Sequence, residues 1–226
     1  MTEAERYLAK ARESLASARA DVRARRYNSA ANRAYYAAFQ AAVAALIQAD
    51  VRPDHDDWSH RFVMSQFSGK LIRRRKLLPA GLRGTLDELF NHRVRADYSP
   101  DNVSSQDAKR AVKRTGQFVE TVSASGETPV RETRAAYGSK RAMSARATRA
   151  KAKKLIEEVQ QRILRKYPDC EFAVIERTPK DYRLIVRGGT GELEDIHDVL
   201  YGRTSDILVD HDIWIVILAE GKREAA

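Results

Sequence analysis

Apolar residues recur at spacings of three and four along the first 124 residues of the chain, a pattern typical of amphipathic helices. Over residues 3–25 the stripe consists of Tyr7, Leu8, Ala11, Leu15, Ala18 and Val22. The next segment is almost wholly apolar from Ala34 to Ile47, so we predict that it forms the most buried helix. Stripes over about 57–76, 82–94 and 105–122 predict three more helices. Together they predict an antiparallel helical bundle.

The pattern changes in the second half of the chain. Small, polar and basic residues replace the stripe over 125–146, which predicts a basic linker. A helical stripe returns from Thr148, and two alternating segments, EFAVIERT and DYRLIVRG, then predict a β-hairpin. The next segment predicts one helix, or two helices broken near Gly202, and the apolar run IWIVILA then predicts a buried strand. The predicted fold class is therefore α plus α+β, with a helical bundle over 1–124 and a small αββαβ domain over 147–226.

Positive charge is concentrated in the first two segments. The whole chain carries +10, and residues 1–124 contribute +8 of it, with 22 Lys/Arg against 14 Asp/Glu. The linker carries +3 and the last segment −1. Any surface that binds a polyanion is therefore expected within residues 1–146. The alternative is a solvated basic surface that only keeps the protein soluble.

Other compositional features argue for a protein of the cytoplasm. The N-terminus MTEAERYLAK has no apolar stretch of the secretory kind, and no apolar run is long enough to span a bilayer. A single cysteine, Cys170, excludes an internal disulfide and a cysteine-rich zinc site. The segment DHDDWSH is crowded with aspartates, but helix capping explains them as well as metal binding does. We expect neither a metal nor a cofactor.

Three blocks of the first 124 residues resemble the HEPN domain, in its small stand-alone prokaryotic branch. They are NRAYYAAFQAAVAAL (Asn32–Leu46), the helix start at Trp58–His60, and LFNHRVRADY (Leu89–Tyr98). The resemblance implies a helical bundle that commonly forms a homodimer, and the apolar surplus over Ala34–Ile47 favours a dimer as well. It also implies RNA binding or RNA cleavage, and a toxin–antitoxin pair with a nucleotidyltransferase as the antitoxin partner.

HEPN proteins with nuclease activity carry an arginine that is followed four to six residues later by a histidine. Here His92 precedes Arg93, and Tyr98 stands five residues after it. Tyrosine, with a pKa of about 10, is a poor base at neutral pH. The resemblance therefore implies a degraded ribonuclease motif whose catalytic candidates are Arg93, Arg95, Tyr98 and His92. Tyr98 is also a candidate for modification by the nucleotidyltransferase.

Two groups of basic residues are candidates for RNA binding. One is the cluster Arg73, Arg74, Arg75 and Lys76, and the other is Arg93 with Arg95. Solvation explains the first group equally well, and arginines at a helix C-terminus also stabilise terminal carbonyls. The prediction is an RNA- or partner-binding protein of a toxin–antitoxin or defence-type system. The alternatives are an active metal-independent ribonuclease that uses Arg93 or Arg95 with a nonstandard proton donor, and a non-catalytic structural adaptor.

Overall fold

The structure is a computed structural model that describes residues 1–53, 58–125, 144–188, 196, 199–200 and 202–220. Its elements are α1 (Glu3–Arg23), α2 (Tyr27–Gln48), α3 (His60–Gln66), α4 (Thr85–Tyr98), α5 (Ser105–Ser125), α6 (Ala145–Leu164), β1 (Glu171–Thr178), β2 (Asp181–Arg187), α7 (Arg203–His211) and β3 (Trp214–Glu220). The predicted fold class is confirmed, with a helical N-terminal part and a small αββαβ unit after it.

Helix α2 is the centre of the bundle, as its apolar sequence predicts. It packs against α1, α4 and α5, and its alanines are buried because their small side chains let neighbouring helices approach closely. The apolar side chains between Ala34 and Leu46 are thus largely buried within one chain. The apolar surplus that favoured a dimer through this helix is absent, so a dimer has to be argued from another surface.

Two predicted helix boundaries are corrected. The helix predicted over about 57–76 begins at His60, with the Ser59 side chain as its N-cap, and continues beyond Gln66 as a π-helix over Phe67–Arg74. Residues 54–57, at its predicted start, lie outside the described part of the chain. Helix α4 extends to Tyr98, four residues beyond the predicted end. Tyr98 is therefore the last helical residue and not a loop residue.

The C-terminal unit contains a three-stranded sheet in the order β1-β2-β3. β1 and β2 form the predicted hairpin, and β2 pairs with β3 in parallel. One face of the sheet packs on α6 and α7 around a separate apolar core that includes Val159, Leu184 and Ile215. Gly202 precedes α7 with φ +72, a left-handed conformation that suits glycine, and α7 begins at the break that the second of the two alternatives predicts near Gly202.

The other face of the sheet packs on the bundle through β3, with α7 beside it. Leu208 and Val216 belong to the core of the bundle, and Trp214 stacks on Phe90 of α4 at 5.0 Å between ring centroids. The backbones approach closely where Gly84 meets Gly202: a Cβ on Gly84 would lie 3.2 Å from the Gly202 Cα. The two units therefore share apolar contacts.

Polar contacts join the same surfaces. Arginines of the bundle pair with aspartates on or just after α7: Arg61 with Asp212 at 2.5 Å, Arg73 with Asp210 at 2.8 Å, and Arg83 with Asp206 at 3.5 Å. Between them, the Thr204 hydroxyl donates a hydrogen bond to the buried carboxyl of Asp87. The acidic residues of the C-terminal unit thus neutralise one basic part of the bundle.

The predicted linker falls mostly outside the described residues. Helix α5 ends at Ser125 and α6 begins at Ala145, so the boundaries at 125–146 remain a prediction. Within the residues that the structure describes, no helix is long and apolar enough to cross a membrane.

Candidate functional site

The C-terminal half of α4 carries Arg93 at a partly exposed position. Its Nε lies 3.1 Å from the carboxylate of Asp97, one helical turn later, and its side chain is 16% exposed. Asp97 also accepts a hydrogen bond of 2.7 Å from the Asn32 side chain of α2. The carboxylate therefore fixes the arginine and ties α4 to α2.

The guanidinium of Arg93 lies over an aromatic ring. Its Cζ is 5.6 Å from the ring centroid of Tyr36, within the range of a cation–π contact. Tyr35 and Tyr36 are neighbours on α2, and their side chains point to different sides of the helix. Tyr35 is fully buried, whereas Tyr36 is partly exposed. One tyrosine thus belongs to the core and the other faces the arginine.

A histidine that the sequence does not single out as a site residue completes this cluster. His60, the first residue of α3, places its Nδ1 2.6 Å from the Tyr35 hydroxyl. Its ring also packs against Phe39 and Phe90, at 5.0 and 5.6 Å between centroids. The hydrogen bond and these rings hold the imidazole in one orientation. We call Asn32, Tyr35, Tyr36, His60, Arg93 and Asp97 the Arg93 cluster.

The buried Tyr35 interacts electrostatically with Arg93 and by a hydrogen bond with His60. Burial raises the pKa of Tyr35 well above its usual value, and the nearby positive charge of Arg93 opposes that shift. The Tyr35 hydroxyl therefore keeps its proton at physiological pH. A histidine can gain or lose a proton near neutral pH, and an arginine binds phosphate through charge-assisted hydrogen bonds. The cluster thus combines a phosphate-binding group, a proton-transfer group and an aromatic surface.

The residues that form the cluster lie within one recognised domain. A family model for the HEPN domain matches residues 4–125, which is more than half of the chain. The chain belongs to the HEPN family. No curated protein matches it significantly. Membership in the HEPN family suggests an RNA-binding or ribonuclease-like function.

His92 occupies a different place in this HEPN bundle. It is 1% exposed, and neither ring nitrogen has a hydrogen-bond partner among the described residues. Burial lowers its pKa to about 4, against a smaller opposing effect of the Asp107 charge. His92 is therefore a neutral residue of the core. The structure places this catalytic candidate inside the protein, away from any RNA.

The other residues predicted on α4 divide into a structural one and an exposed one. The Arg95 side chain is 11% exposed and lies 3.9 Å from the buried carboxylate of Asp107. Tyr98 is 75% exposed at the end of the helix. Arg95 thus offers little surface to a ligand, whereas a large partner can reach Tyr98.

All four residues of the predicted basic cluster, Arg73, Arg74, Arg75 and Lys76, are exposed, and at least two of them have partners within the chain. Arg73 pairs with Asp210, and the Arg75 guanidinium donates a hydrogen bond of 2.5 Å to the Ala49 carbonyl near the end of α2. Two of the four cations thus have structural roles that their sequence does not reveal.

The described residues contain no group of three or more histidine, cysteine, aspartate or glutamate side chains that could hold a metal ion. Part of the segment DHDDWSH, at residues 54–57, lies outside them.

Proposed function

We propose that this HEPN protein binds single-stranded RNA at the Arg93 cluster. The observation that supports the proposal is the guanidinium of Arg93, which Asp97 holds over the partly exposed ring of Tyr36. Unpaired bases stack on aromatic side chains and on arginine planes, and phosphates bind guanidinium groups. A single strand presents both kinds of group together.

The distribution of charge supports the same proposal. Residues 1–124 carry +8, which attracts a polyanion at long range. The C-terminal unit neutralises Arg61, Arg73 and Arg83. Among the residues that the structure describes, Arg93 forms an ion pair only with Asp97, one turn away, so a phosphate can compete for its remaining donors. We therefore expect RNA binding to weaken as salt increases.

A binding titration with matched variants tests the proposal. A labelled single-stranded RNA is followed by fluorescence anisotropy at low and high salt with wild type, Arg93→Ala, Tyr36→Leu and Arg165→Ala. Arg165 is an exposed arginine of the C-terminal unit, so it controls for the loss of one positive charge. We expect about tenfold weaker binding for the first two variants and little change for the third. Equal effects of Arg93→Ala and Arg165→Ala would refute the proposed site.

A specific observation favours a second function, metal-independent cleavage of RNA. His60 lies in the cluster with Arg93, joined to it through Tyr35, although the two residues are far apart in sequence. Cleavage through the ribose 2′-hydroxyl needs a group that accepts its proton and a cation that stabilises the phosphate in the transition state. His60 and Arg93 have these chemical properties. The degraded motif on α4 would then be replaced by a histidine from another helix.

A cleavage assay separates the two functions. RNA is incubated with the protein in the presence of a metal chelator, and the products are separated on a gel. Binding without cleavage supports the first function. Cleavage that is lost in both His60→Gln and Arg93→Ala, while Arg165→Ala stays active, supports the second. Cleavage that persists in His60→Gln rules out His60 as the proton-transfer group.

We infer further that Tyr98 is the residue that a nucleotidyltransferase partner would modify in a cytoplasmic toxin–antitoxin pair. Its exposure and its place at the end of the helix that carries Arg93 support this inference. A phosphate attached there would compete with RNA for the arginine. Mass spectrometry of the protein isolated from its own cells tests the inference, with Tyr98→Phe as the control. Full occupancy at another residue would contradict it.

A further inference from the structure

The first half of α6 carries a dense group of exposed positive charges. Between Ala145 and Lys154 the helix contains no acidic residue. The net charge of −1 over residues 147–226 conceals this group, because the acidic residues of the C-terminal unit lie elsewhere. The HEPN match ends at residue 125, so the group does not belong to the matched domain. Its members are Arg146, Arg149, Lys151, Lys153 and Lys154, all of them exposed.

Four of the five cations remain available to a ligand. Arg149 donates a hydrogen bond of 2.7 Å to Glu176 of β1, whereas the other four form no ion pair with any residue that the structure describes. The Ser144 side chain caps the helix by accepting from the Ala147 amide, so a ligand would meet side chains and not that terminal amide. The four cations are therefore the groups that can bind an anion here.

The position of these cations is unfavourable for the helix alone. Positive side chains near a helix N-terminus oppose the helix dipole, and acidic side chains there are stabilising. Helices α1, α4, α5 and α7 all have acidic residues in their first turn, whereas α6 has none. A polyanion bound along the first half of α6 would remove this unfavourable interaction.

The four cations form two rows on the exposed face of α6. Successive residues of a helix project about 100° apart, so Arg146 and Lys153, seven residues apart, point in nearly the same direction. Lys151 and Lys154 point, on average, about 120° further round the helix axis. The exposed Ala150 lies between the two rows. The face thus has a small side chain at its centre and a row of cations on each flank.

This arrangement matches the major groove of B-form DNA. A helix with its side chains is about 10–12 Å wide, and the groove is about 12 Å wide. A helix in the groove has a phosphate backbone on each side, so each row of cations would face one strand. The major groove of double-stranded RNA is too deep and narrow for such a contact. A flat anionic surface would require cations on one side of the helix only.

The fold leaves this face of α6 accessible to a large ligand. Ala152, Val159 and Ile163 bury the opposite side of α6 against the sheet. The bundle packs on the other face of the sheet, through β3, so a duplex can approach α6 without meeting the bundle. Acidic residues follow at Glu157 and Glu158, and they confine the contact to the first half of the helix, about 15 Å long.

We propose that the first half of α6 binds in the major groove of duplex DNA. Arg146 and Lys153 contact phosphates of one strand, and Lys151 and Lys154 contact phosphates of the other. These contacts are electrostatic, so binding weakens steeply as salt increases, and four phosphate contacts correspond to a slope of about −4 in a plot of log K against log salt.

Fluorescence anisotropy of the full chain tests both rows separately. The probes are a short labelled DNA duplex of mixed sequence, the RNA duplex of the same sequence and a single-stranded RNA, each over a salt series. One variant combines Arg146→Gln with Lys153→Gln, and the other combines Lys151→Gln with Lys154→Gln. Each should bind the DNA duplex about tenfold more weakly and lower the salt slope by about two.

A matched control removes two exposed cations elsewhere, with Arg23→Gln on α1 and Arg165→Gln after α6. It should bind DNA nearly as well as wild type, and so should Arg93→Ala. The two α6 variants should still bind single-stranded RNA, so failure of this proposal is distinct from failure of the Arg93 cluster as an RNA site. Because the variants remove cations from the positive end of a helix dipole, their Tm should not fall.

Weaker DNA binding by both α6 variants, together with a preference for the DNA duplex over the RNA duplex, supports the proposal. A wild-type protein that binds no DNA overturns it. DNA binding that only one variant weakens overturns it as well, because a helix in the groove uses both rows. Equal binding of the two duplexes also contradicts it, since it would indicate general attraction of a polyanion.

Discussion

The carboxyl of Asp87 lies between the bundle and the C-terminal unit, and its burial should make the stability of the protein depend on pH. It is 3% exposed and accepts a hydrogen bond from Thr204. Burial raises its pKa to about 7, and the Thr204 hydrogen bond offsets only part of that effect. The perturbation we consider is Asp87→Asn, which removes the proton equilibrium but keeps an oxygen that can accept from Thr204.

The two pKa values of Asp87, in the unfolded and in the folded chain, determine whether the protein gains or loses stability as pH rises. In the unfolded chain the carboxyl loses its proton at a pH of about 4, and in the folded chain at about 7. Between these values the folded state binds the extra proton, so the free energy of unfolding falls as pH rises. The free energy of unfolding falls by about 1.4 kcal/mol per pH unit, and by at most about 4 kcal/mol between the two pKa values. The asparagine amide does not titrate, so the stability of Asp87→Asn should not fall in this interval, and the variant should be more stable than wild type at high pH.

Urea unfolding of both proteins, at several values between about pH 5 and about pH 8, measures the effect. The advantage of Asp87→Asn should grow up to about pH 7 and then level off. His92, with its pKa lowered to about 4, works in the opposite direction below its unfolded value. His92 is present in both proteins, so its contribution cancels in the difference between their free energies of unfolding. Asp101→Asn, in an exposed loop, controls for the loss of surface charge. A stability difference that does not change with pH would refute the reasoning.

Two further substitutions test the packing. Leu208, a side chain of α7, is 2% exposed, and Leu208→Ala should destabilise the chain by about 2–5 kcal/mol because it leaves a cavity in the core of the bundle. Thermal unfolding followed by circular dichroism measures this loss of stability. An unchanged Tm would contradict the core that the two units share. Ala38→Leu, on the fully buried side of α2, should cost about 1–3 kcal/mol because the added atoms find no space. The exposed Ala124 gives a matched alanine-to-leucine control in the same assay, and equal effects at both positions would contradict the packing.

Periodicity predicts the helices of this protein well because each stripe records burial within one element. The predicted bundle, hairpin and final strand all appear in the structure. The same method does not predict the π-helix over Phe67–Arg74, since a stripe of apolar residues does not distinguish the wider turn from an α-helix. Gly69 lies in that turn where Val209 packs against it, and a Cβ there would be 3.0 Å from the Val209 Cγ1. A contact so distant in sequence leaves no local pattern.

The Arg93 cluster likewise contains residues that the sequence pattern predicts and one that it does not. Its arginine and tyrosines stand out in the sequence, because they belong to the segments that resemble the HEPN domain. His60 also belongs to such a segment, but it is not predicted as a site residue, because the family motif places its histidine downstream of the arginine on the same helix. The signal that could have indicated it is Ser59, a helix cap that fixes His60 at the start of a helix. Likewise, the pairing of Arg73 with Asp210, 137 residues away, cannot be recognised in a run of basic residues.

The C-terminal unit has two effects on the Arg93 cluster, one electrostatic and one structural. Its aspartates neutralise arginines elsewhere on the bundle, so the net charge of residues 1–124 exceeds the charge that a polyanion meets. It also borders the cluster directly, because Trp214 stacks on Phe90, which in turn contacts His60, while Asp212 pairs with the neighbouring Arg61. Since packed aromatic rings fix one another's orientation, we infer that the docked unit helps to position His60. The function of the HEPN bundle therefore has to be measured on the full chain.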